Sequence, residues 1–457
     1  MDRLALLARG AQEAAAGNLP AAEAAYRSML QAAPLDAEAL NNLGAVLNLG
    51  QRHEEAEASC RAALAAQPGF WAALSNLGAA LQRQQRYAEA TAAYVAALRS
   101  NPGDANACTN LGVALHEQWR MAESLAVHEA AADLAPDDAE VRTNRATALL
   151  ASGDFARGFA EFEWRWRVPG TLPHGVAGRQ WLGESPDGRT ILLHDEGGFG
   201  DTLQFVRYAP ALAARGARVV LRVQAPLAGL VRRSMPGIAA VAARGEALPP
   251  HDLHCPMVSL PHAFGTRLET VPGDTPYLEP CPLKAAVWRA RLDAWTGGKG
   301  LRVGLAWAGS PRPGMPEIHA MDRRRSMALA RLAPLAVVTG VRFVSLQLGA
   351  AAETAHPPPG MDLADPMAAM ADFDDTAALV AGLDLVISVD TAVAHLAGAL
   401  GRPVWVLSRY DACWRWLAGR RDSPWYPSLR LYRQPNPGDW ESLLAEVAGD
   451  LQKLADI

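Results

Sequence analysis

A glycine-rich turn that carries one carboxylate is the first segment of the sequence that could do chemistry. The stretch EGGFGDT, residues 196–202, lies between an apolar run and an amphipathic run. Gly197, Gly198 and Gly200 allow the backbone to approach a ligand, and free amides at a helix start can hold an anion. Asp201 could accept a proton from a hydroxyl group. A helix N-cap is a more ordinary role for such an aspartate, and the residues alone favour the cap.

A second candidate site is the stretch SVDTAVAHLAGALG, residues 388–401, which is typical of a buried strand followed by a helix. Asp390 or Thr391 would cap this helix, whose free amides and positive dipole end suit a diphosphate. His395 follows Thr391 by four residues and so lies on the same face of the first turn. A single histidine is more often structural, but this placement favours contact with a phosphate or a leaving group.

Arginines follow a segment rich in proline and glycine, residues 310–322, which the sequence predicts to be a long loop. Arginines beside a phosphate site can neutralise a leaving diphosphate when no metal does so, and here they form the motif RRRS, residues 323–326. The sequence shows no convincing cluster of metal ligands, so we expect no metal at the site. The acidic run DFDD, residues 372–375, is interpreted as a helix cap.

Aromatic residues are dense in CWRWLAGRRDSPWYP, residues 413–427. Such side chains can stack on a sugar or a base, or they can simply close a domain. The sequence favours the two interpretations equally.

A repeat array precedes all of these motifs. Glycines, prolines, small residues and mostly bulky residues form four columns with a period of 34 residues. The columns are Gly10, Gly44, Gly78 and Gly112; Pro34, Pro68, Pro102 and Pro136; Ala22, Ala56, Ala90 and Ser124; and Tyr26, Cys60, Tyr94, His128 and Phe162. The pattern is typical of the tetratricopeptide repeat (TPR), in which small residues let paired helices approach and bulky residues fill the gap between neighbouring hairpins.

The array is predicted to occupy residues 1–168 as a superhelix of four repeats and a degenerate fifth. The repeats are expected to start near Arg3, Ala37, Trp71, Ala105 and Ala139. Arrays of this kind form a solenoid with a concave binding face.

An asparagine column is expected to face the concave groove. Its members are Asn42, Asn76, Asn110 and Asn144. An amide side chain both donates and accepts, so it can pair with a peptide backbone of any sequence. The column resembles the asparagine ladder of the O-linked N-acetylglucosamine transferases. Hydrogen bonding between adjacent repeats is the alternative role, and we favour peptide binding.

Beyond a predicted linker, residues 169–189, short apolar runs alternate with helical patterns, which is typical of parallel sheets covered by helices. We expect one Rossmann-like lobe over residues 190–282 and a second over residues 283–457, which ends in a closing helix. The predicted fold class is therefore α + α/β. Two such lobes are what the GT-B glycosyltransferase fold requires, although repeated βα units alone do not establish that fold.

Composition excludes several classes of protein. The 457 residues carry a net charge of −5, which argues against a nucleic-acid-binding protein. The five cysteines form no C-x-x-C pair, so a disulfide framework or a zinc site is not expected. The sequence has no apolar stretch long enough for a secretory signal or a membrane span. We therefore expect a cytoplasmic location.

Together these motifs resemble the heptosyltransferase-type glycosyltransferases of family 9 that carry an N-terminal TPR region, over nearly the whole chain. In that family a GD aspartate is the proposed general base, and Gly200–Asp201 matches it. Asp390, Thr391 and His395 match the family's DTG…H donor motif, with Ala392 in place of the glycine. Four further residues are similar to those on the donor side of this family: Trp307, Gly309, Arg325 and Ser326.

The resemblance implies a nucleotide-sugar substrate, no cofactor, no metal, and inversion at the anomeric carbon. The lobe over residues 190–282 would bind the acceptor, which Asp201 would deprotonate. The lobe over residues 283–457 would bind the donor, and His395 with Arg325 would stabilise the leaving nucleotide there. The implied acceptor is a protein or peptide, with a flagellin-like protein as a candidate. Pairing of two chains through terminal repeats stays open.

Two alternatives remain. In the first, the chain transfers sugar to lipopolysaccharide or another saccharide, and the repeats serve only assembly. In the second, the chain is a scaffold with a vestigial α/β part. The intact set of Asp201, Asp390 and His395 speaks against decay of the site.

Overall fold

A computed structural model describes residues 3–171, 174–311 and 314–456 of the chain. The chain divides into two compact units, of which the first comprises Met1–Ser152 and Ala160–Thr171 and the second Gly153–Phe159 and Leu172–Ile457. The first unit is helical and the second contains parallel sheets, so the predicted fold class, α + α/β, is confirmed.

Antiparallel helical hairpins build the first unit. Its helices are α1 Arg3–Ala15, α2 Leu19–Ala32, α3 Ala37–Leu49, α4 His53–Ala66, α5 Trp71–Arg83, α6 Tyr87–Ser100, α7 Ala105–Glu117, α8 Met121–Leu134 and α9 Ala139–Ser152. The next helix, α10 Phe155–Phe162, belongs mostly to the second unit. The first helix of each hairpin begins at the predicted repeat start. Each proline of the repeat column lies two residues beyond the end of α2, α4, α6 or α8, because proline cannot continue a helix.

The glycine column makes room for the bulky column. A Cβ atom at Gly78 would lie 2.7 Å from the Tyr94 ring, and one at Gly112 would lie 2.7 Å from the His128 ring. Each bulky side chain therefore packs on the glycine of its own hairpin. The bulky side chain also belongs to a hydrophobic cluster that includes the next hairpin, since Tyr94 clusters with Leu111 and Leu115 of α7.

The first part of the second unit, here called the N-lobe, contains a parallel five-stranded sheet in the order β1-β5-β2-β3-β4. Its strands are β1 Arg179–Gln180, β2 Thr190–His194, β3 Arg218–Val223, β4 Ala240–Ala243 and β5 Leu253–Pro256. Its helices are α11 Phe199–Phe205, α12 Tyr208–Ala214, α13 Ala225–Ser234 and α14 Leu260–Ala263. Strand β1 lies inside the predicted linker, where the fully buried Trp181 anchors the segment to the lobe.

The second part, the C-lobe, contains a parallel six-stranded sheet in the order β11-β10-β9-β6-β7-β8. Its strands are β6 Leu301–Ala306, β7 Val341–Ser345, β8 Leu363–Ala364, β9 Leu385–Val389, β10 Val404–Ser408 and β11 Leu429–Arg433. Its helices are α15 Pro282–Thr296, α16 Pro316–Arg325, α17 Ala351–Thr354, α18 Phe373–Val380, α19 Ala392–Ala399 and α20 Trp440–Ala455. Within the described ranges, no helix is both long enough and apolar enough to cross a membrane.

The predicted loop over residues 310–322 is the main difference in the C-lobe. Helix α16 begins there at Pro316 and continues through the arginines to Arg325. Proline is compatible with the first turn of a helix, and neither proline nor glycine interrupts the chain from 317 to 325. Arg312 and Pro313 of the predicted loop lie outside the described residues. Asp372 caps α18 by accepting from the amides of Asp374 and Asp375, as predicted.

His128 generates a prediction about stability. Its imidazole is fully buried, makes no hydrogen bond to any described residue, and has a pKa lowered to about 3 by burial. The unfolded chain therefore takes up a proton below its ordinary pKa of about 6.5, and the folded chain does not until far lower pH. Stability is lost as the pH falls through that window, by about 2 kcal/mol at pH 5.

We expect His128→Phe, which resembles Phe162 and Tyr94 in the same column, to remove this loss. Urea unfolding at pH 5.0 and 7.5 measures it, and the free energy gained by the variant should be larger at pH 5.0 by about 2 kcal/mol. An equal gain at both pH values would show that His128 is protonated in the folded chain.

Candidate functional site

The glycine-rich turn joins β2 to α11 and is held by a buried glutamine. Gln224, at the end of β3, donates its amide to the carbonyls of Gly197 and Gly198 at 3.1 and 3.3 Å. Its carbonyl accepts from the Thr202 hydroxyl at 2.9 Å. The turn is therefore bound at both ends to the neighbouring strand, and its amides are fixed at the start of α11.

Asp201 lies in the first turn of α11, whose N-cap is Gly198, so the interpretation of Asp201 as a cap was wrong. Instead, its Oδ1 accepts from Arg415 of the C-lobe at 2.6 Å. Hydrogen bonds from the described residues leave Oδ2 without a donor, and the side chain is 32% exposed. One carboxylate oxygen is therefore held and the other is accessible to a ligand.

Arg415 has its guanidinium at the junction of the lobes. It donates to Gln204 of the N-lobe at 2.9 Å and packs on the Trp414 ring, with its guanidinium carbon 4.3 Å from the ring centroid. Burial alone would lower the pKa of Arg415, but Cys413 and Asp201 raise it above its ordinary value. Arg415 therefore stays charged and fixes the orientation of the Asp201 carboxylate.

His395 occupies the first turn of α19, which follows Thr391 at the end of β9. Its Nδ1 shares a 2.9 Å hydrogen bond with the Tyr426 hydroxyl, and its ring stacks on Trp416 at a centroid distance of 5.4 Å. Burial lowers the pKa of His395 to about 4, although Asp390 raises it. The ring is therefore neutral at pH 7, and across the described chain Nε2 has no hydrogen-bond partner.

Gly200 brings the two lobes into contact at this histidine. A Cβ atom at residue 200 would lie 2.8 Å from Cδ2 and 3.3 Å from Nε2 of His395. Asp201 and His395 also interact electrostatically, since the carboxylate contributes to the pKa of the ring. The structure thus brings together two predicted site residues that are almost 200 positions apart in the chain.

Arg207, which follows α11 in the chain, connects the two lobes by hydrogen bonds at the same junction. Its guanidinium donates to the carbonyl of Trp425 in the C-lobe at 2.6 Å, to the carbonyl of Pro272 at 2.8 Å and to the Tyr277 hydroxyl at 2.7 Å. Tyr277 in turn donates to the carbonyl of Leu203 in α11. These bonds satisfy a buried positive charge with acceptors from both lobes.

The arginine motif lies beside the start of α19. Arg325 donates to the carbonyl of Asp390 at 2.9 Å and forms an ion pair with Asp322 at 2.8 Å. Gly309 is required beneath this pair because a Cβ atom there would clash with both side chains, and its amide donates to Ser326 at 2.9 Å. Arg325 is thus fixed next to the start of α19.

Trp307 and the aromatic motif contribute packing. The Trp307 side chain is 1% exposed in the C-lobe core, so the predicted donor residue does not present its ring to the cleft. The polar contact at this strand end is made by the backbone, where the Trp307 amide donates to the Gln347 side chain. Trp425 and Tyr426 are fully buried, which favours domain closure over sugar stacking for residues 413–427.

The asparagine column lies on α3, α5, α7 and α9, and all four side chains are half-buried. Asn76 donates to Asn41 of the preceding repeat at 2.9 Å, and Asn42 accepts from Asn41 at 3.0 Å. The described residues provide no hydrogen-bond partner for the side-chain amides of Asn110 and Asn144. Contact between repeats therefore accounts for Asn76, whereas Asn42 bonds to its neighbour in the same helix.

Sequence reasoning missed Arg415, Gln204 and Gln224. Arg415 stands between two tryptophans of a motif that was noted for its aromatic residues, and a charge in such surroundings was a usable signal. The two glutamines lie in or directly after ordinary apolar segments, and nothing in the sequence around them indicates a special role. Their roles depend on contacts between distant segments.

Family comparisons match both parts of the chain. Residues 7–69 and 76–139 match the tetratricopeptide repeat, and residues 351–411 match glycosyltransferase family 9 (heptosyltransferase). The second match includes Asp390, Thr391 and His395, whereas Asp201 lies outside it. The chain therefore contains TPRs and a segment similar to glycosyltransferase family 9.

A curated relative, Protein FlbA of Caulobacter vibrioides, is 30% identical over 338 residues, which are 67% of this chain and 54% of FlbA. The chain thus spans about half the length of that relative. Pseudomonas aeruginosa pilF is similar in structure with a TM-score of 0.34, 23% identity, and coverage of 37% of this chain and 78% of pilF. The Thermus thermophilus TPR protein TTC0263 has a TM-score of 0.34, 21% identity, and coverage of 37% and 92%.

Gly200→Ala should destabilise the contact between the lobes. The new methyl group would meet the buried His395 ring, and such overpacking typically costs ~1–3 kcal/mol. The higher helix propensity of alanine, ~1 kcal/mol, acts in the opposite direction, so a net loss measures the clash.

Thermal unfolding of Gly200→Ala beside Gly197→Ala tests this expectation. A Cβ atom at Gly197 has no atom within 4 Å, so the control should unfold close to the wild type. Equal melting temperatures for the two variants would show that α11 and α19 do not meet at Gly200.

Proposed function

We propose that the chain is a GT-B glycosyltransferase that moves a sugar from a nucleotide-sugar donor to a protein or peptide acceptor. The observation that carries the proposal is the approach of two polar groups from facing lobes, each with an atom that the described residues leave without a hydrogen bond. Asp201 leaves Oδ2 without a hydrogen bond from the described residues, and His395 leaves Nε2 in the same state. Gly200 keeps both groups at one junction.

In this proposal Asp201 accepts the proton of the acceptor hydroxyl as that oxygen attacks the anomeric carbon. Arg415 holds Oδ1, so the carboxylate presents Oδ2 in a fixed orientation. Attack assisted by one carboxylate from the face opposite the leaving group inverts the anomeric carbon. The bond to the acceptor oxygen forms as the bond to the nucleotide diphosphate breaks.

The leaving diphosphate would be received at the start of α19. Free amides and the positive helix end favour an anion there, and Arg325 is fixed beside Asp390. His395 is neutral and would donate a hydrogen bond from Nε2 once Tyr426 donates to Nδ1. This set would stabilise the leaving charge without a metal, and no separate cofactor is needed.

The repeat groove would supply the acceptor. Asn110 and Asn144 have side-chain amides that the described residues leave unpaired, and two such amides can bind an extended peptide backbone. A flagellin-like protein is one candidate acceptor. Transfer to lipopolysaccharide, with the repeats used in assembly, is the second candidate function, and the inter-repeat bond of Asn76 to Asn41 favours it.

Asp201→Asn should slow transfer strongly and leave nucleotide binding unchanged. Asparagine keeps an oxygen that can accept from Arg415, but it cannot take a proton, so turnover should fall by ~10²–10⁴-fold. The assay follows transfer from UDP-, GDP-, ADP- and CMP-sugars to flagellin and, separately, to lipopolysaccharide. Asp133→Asn, at an exposed site of α8, is the matched control.

The two acceptors distinguish the two functions. Transfer to flagellin that depends on Asp201 supports the proposal, and transfer to lipopolysaccharide alone supports the second candidate. Full turnover in Asp201→Asn would refute the role of this carboxylate.

A further inference from the structure

Three histidines meet on one face of the N-lobe sheet, beneath the glycine-rich turn. His194 ends β2, and His254 lies on β5 opposite Leu192, so the two histidines project from the same face. His174 reaches them from the segment before β1. The centroid of its ring lies 4.8 Å from each of the other two ring centroids, which are 5.3 Å apart.

The nitrogens of the two strand histidines face each other. His194 Nε2 lies 3.2 Å from His254 Nδ1. His194 Nδ1 lies 3.4 Å from the carbonyl of Asp195, and the His254 ring hydrogen-bonds to the backbone of Gly178. When each outer nitrogen donates to a backbone carbonyl, both inner nitrogens present lone pairs to the same point. A cation between them would satisfy both.

The spacing fits a tetrahedral metal ion. Zinc–nitrogen bonds of about 2.0–2.1 Å at tetrahedral angles separate two ligating nitrogens by roughly 3.3 Å. Bonds from the outer nitrogens to backbone carbonyls are also the usual second shell of metal-binding histidines. The inner nitrogens of His194 and His254 therefore already have the separation and the support of a ligand pair.

The third histidine completes the set after a small movement. The nearest nitrogens of the three rings lie within 4.8 Å of one another, so His174 must approach by roughly 1.5 Å to reach ligand spacing. His174 is half-buried on the segment that leads into β1, and its Nδ1 accepts from the Val176 amide at 3.1 Å. Binding of the neutral ring through Nε2 would place the ring proton on Nδ1, so the hydrogen bond from the Val176 amide would be lost.

The charged side chains named near the cluster are two arginines and one aspartate, so their net charge is +1. The charge of Arg222 opposes a cation, since it contributes to lowering the pKa of His194 after the larger effect of burial. The buried carboxylate of Asp195 lies 3.1 Å from Arg222 and also pairs with Arg244. Imidazole donors without carboxylates select borderline transition metals over magnesium or calcium.

We propose that His174, His194 and His254 bind one zinc-class divalent ion that ties the segment before β1 to the N-lobe sheet. The ion would hold β1 and the base of the glycine-rich turn in place. It takes no part in sugar transfer, so this inference does not depend on the function proposed above.

Cobalt binding to the full chain tests the site, because Co²⁺ in a site of low coordination number absorbs visible light. Chelator-treated protein should bind one equivalent of Co²⁺ with visible bands, and Zn²⁺ should displace it. His194→Gln and His254→Gln should each weaken binding by at least ~tenfold. His356→Gln, at an exposed position of the C-lobe, should bind as the wild type does.

His174→Ala keeps the test decisive if a strand variant fails to fold, because its ring is only half-buried. It should lose the cobalt bands and the rise in melting temperature with Zn²⁺, and it should retain any nucleotide binding. Visible bands that persist in His174→Ala, or no bands in the wild type, would overturn the proposal.

Discussion

The approach of Gly200 to His395 is the constraint on which the rest of the site depends. Only a residue without a Cβ atom lets α11 come this close to the imidazole, and the close approach places the first turns of α11 and α19 together. Asp201 comes from the N-lobe, whereas His395 and Arg325 come from the C-lobe. Any change in the angle between the lobes would separate them.

Buried arginines stabilise this junction and also fix the arrangement of the two lobes. Arg207 satisfies its guanidinium with acceptors from both lobes, and Arg415 connects Asp201 to Gln204. A buried arginine that loses its acceptors is costly, so the lobes have one favourable arrangement. The site histidine is neutral in the same surroundings, because burial outweighs the carboxylates near it. The junction thus holds an aspartate paired with a charged arginine beside a neutral histidine.

The sequence predicted those features that depend on a local pattern of residues. The 34-residue columns predicted the repeat starts at Arg3, Ala37, Trp71, Ala105 and Ala139, because helix pairing imposes a fixed spacing of small residues. The strand-to-helix turns that carry Asp201 and His395 were also visible. That Asp390, Thr391 and His395 bind a donor stays a prediction.

Contacts between segments that are distant in the chain could not be predicted from the sequence. Nothing in the chain relates Asp201 to Arg415 or His174 to His194, because those contacts follow from sheet order and lobe closure. The segment 310–322 was predicted as a loop from its composition, yet the residues after Pro316 are compatible with a helix. Trp307 resembled a donor residue, and packing at the centre of a parallel sheet placed its ring in the core instead.

Nucleotide binding at the start of α19 is the claim on which the account depends most directly. Thermal unfolding should be measured with UDP, GDP, ADP and CMP, with and without EDTA, for the wild type and for His395→Ala. We expect one nucleotide to raise the melting temperature selectively, by the equivalent of about 2.7 kcal/mol at a hundredfold excess over its Kd. EDTA should not change this shift, and His395→Ala should remove it. No shift with any nucleotide would contradict the account and leave the chain as a TPR scaffold with a vestigial α/β part.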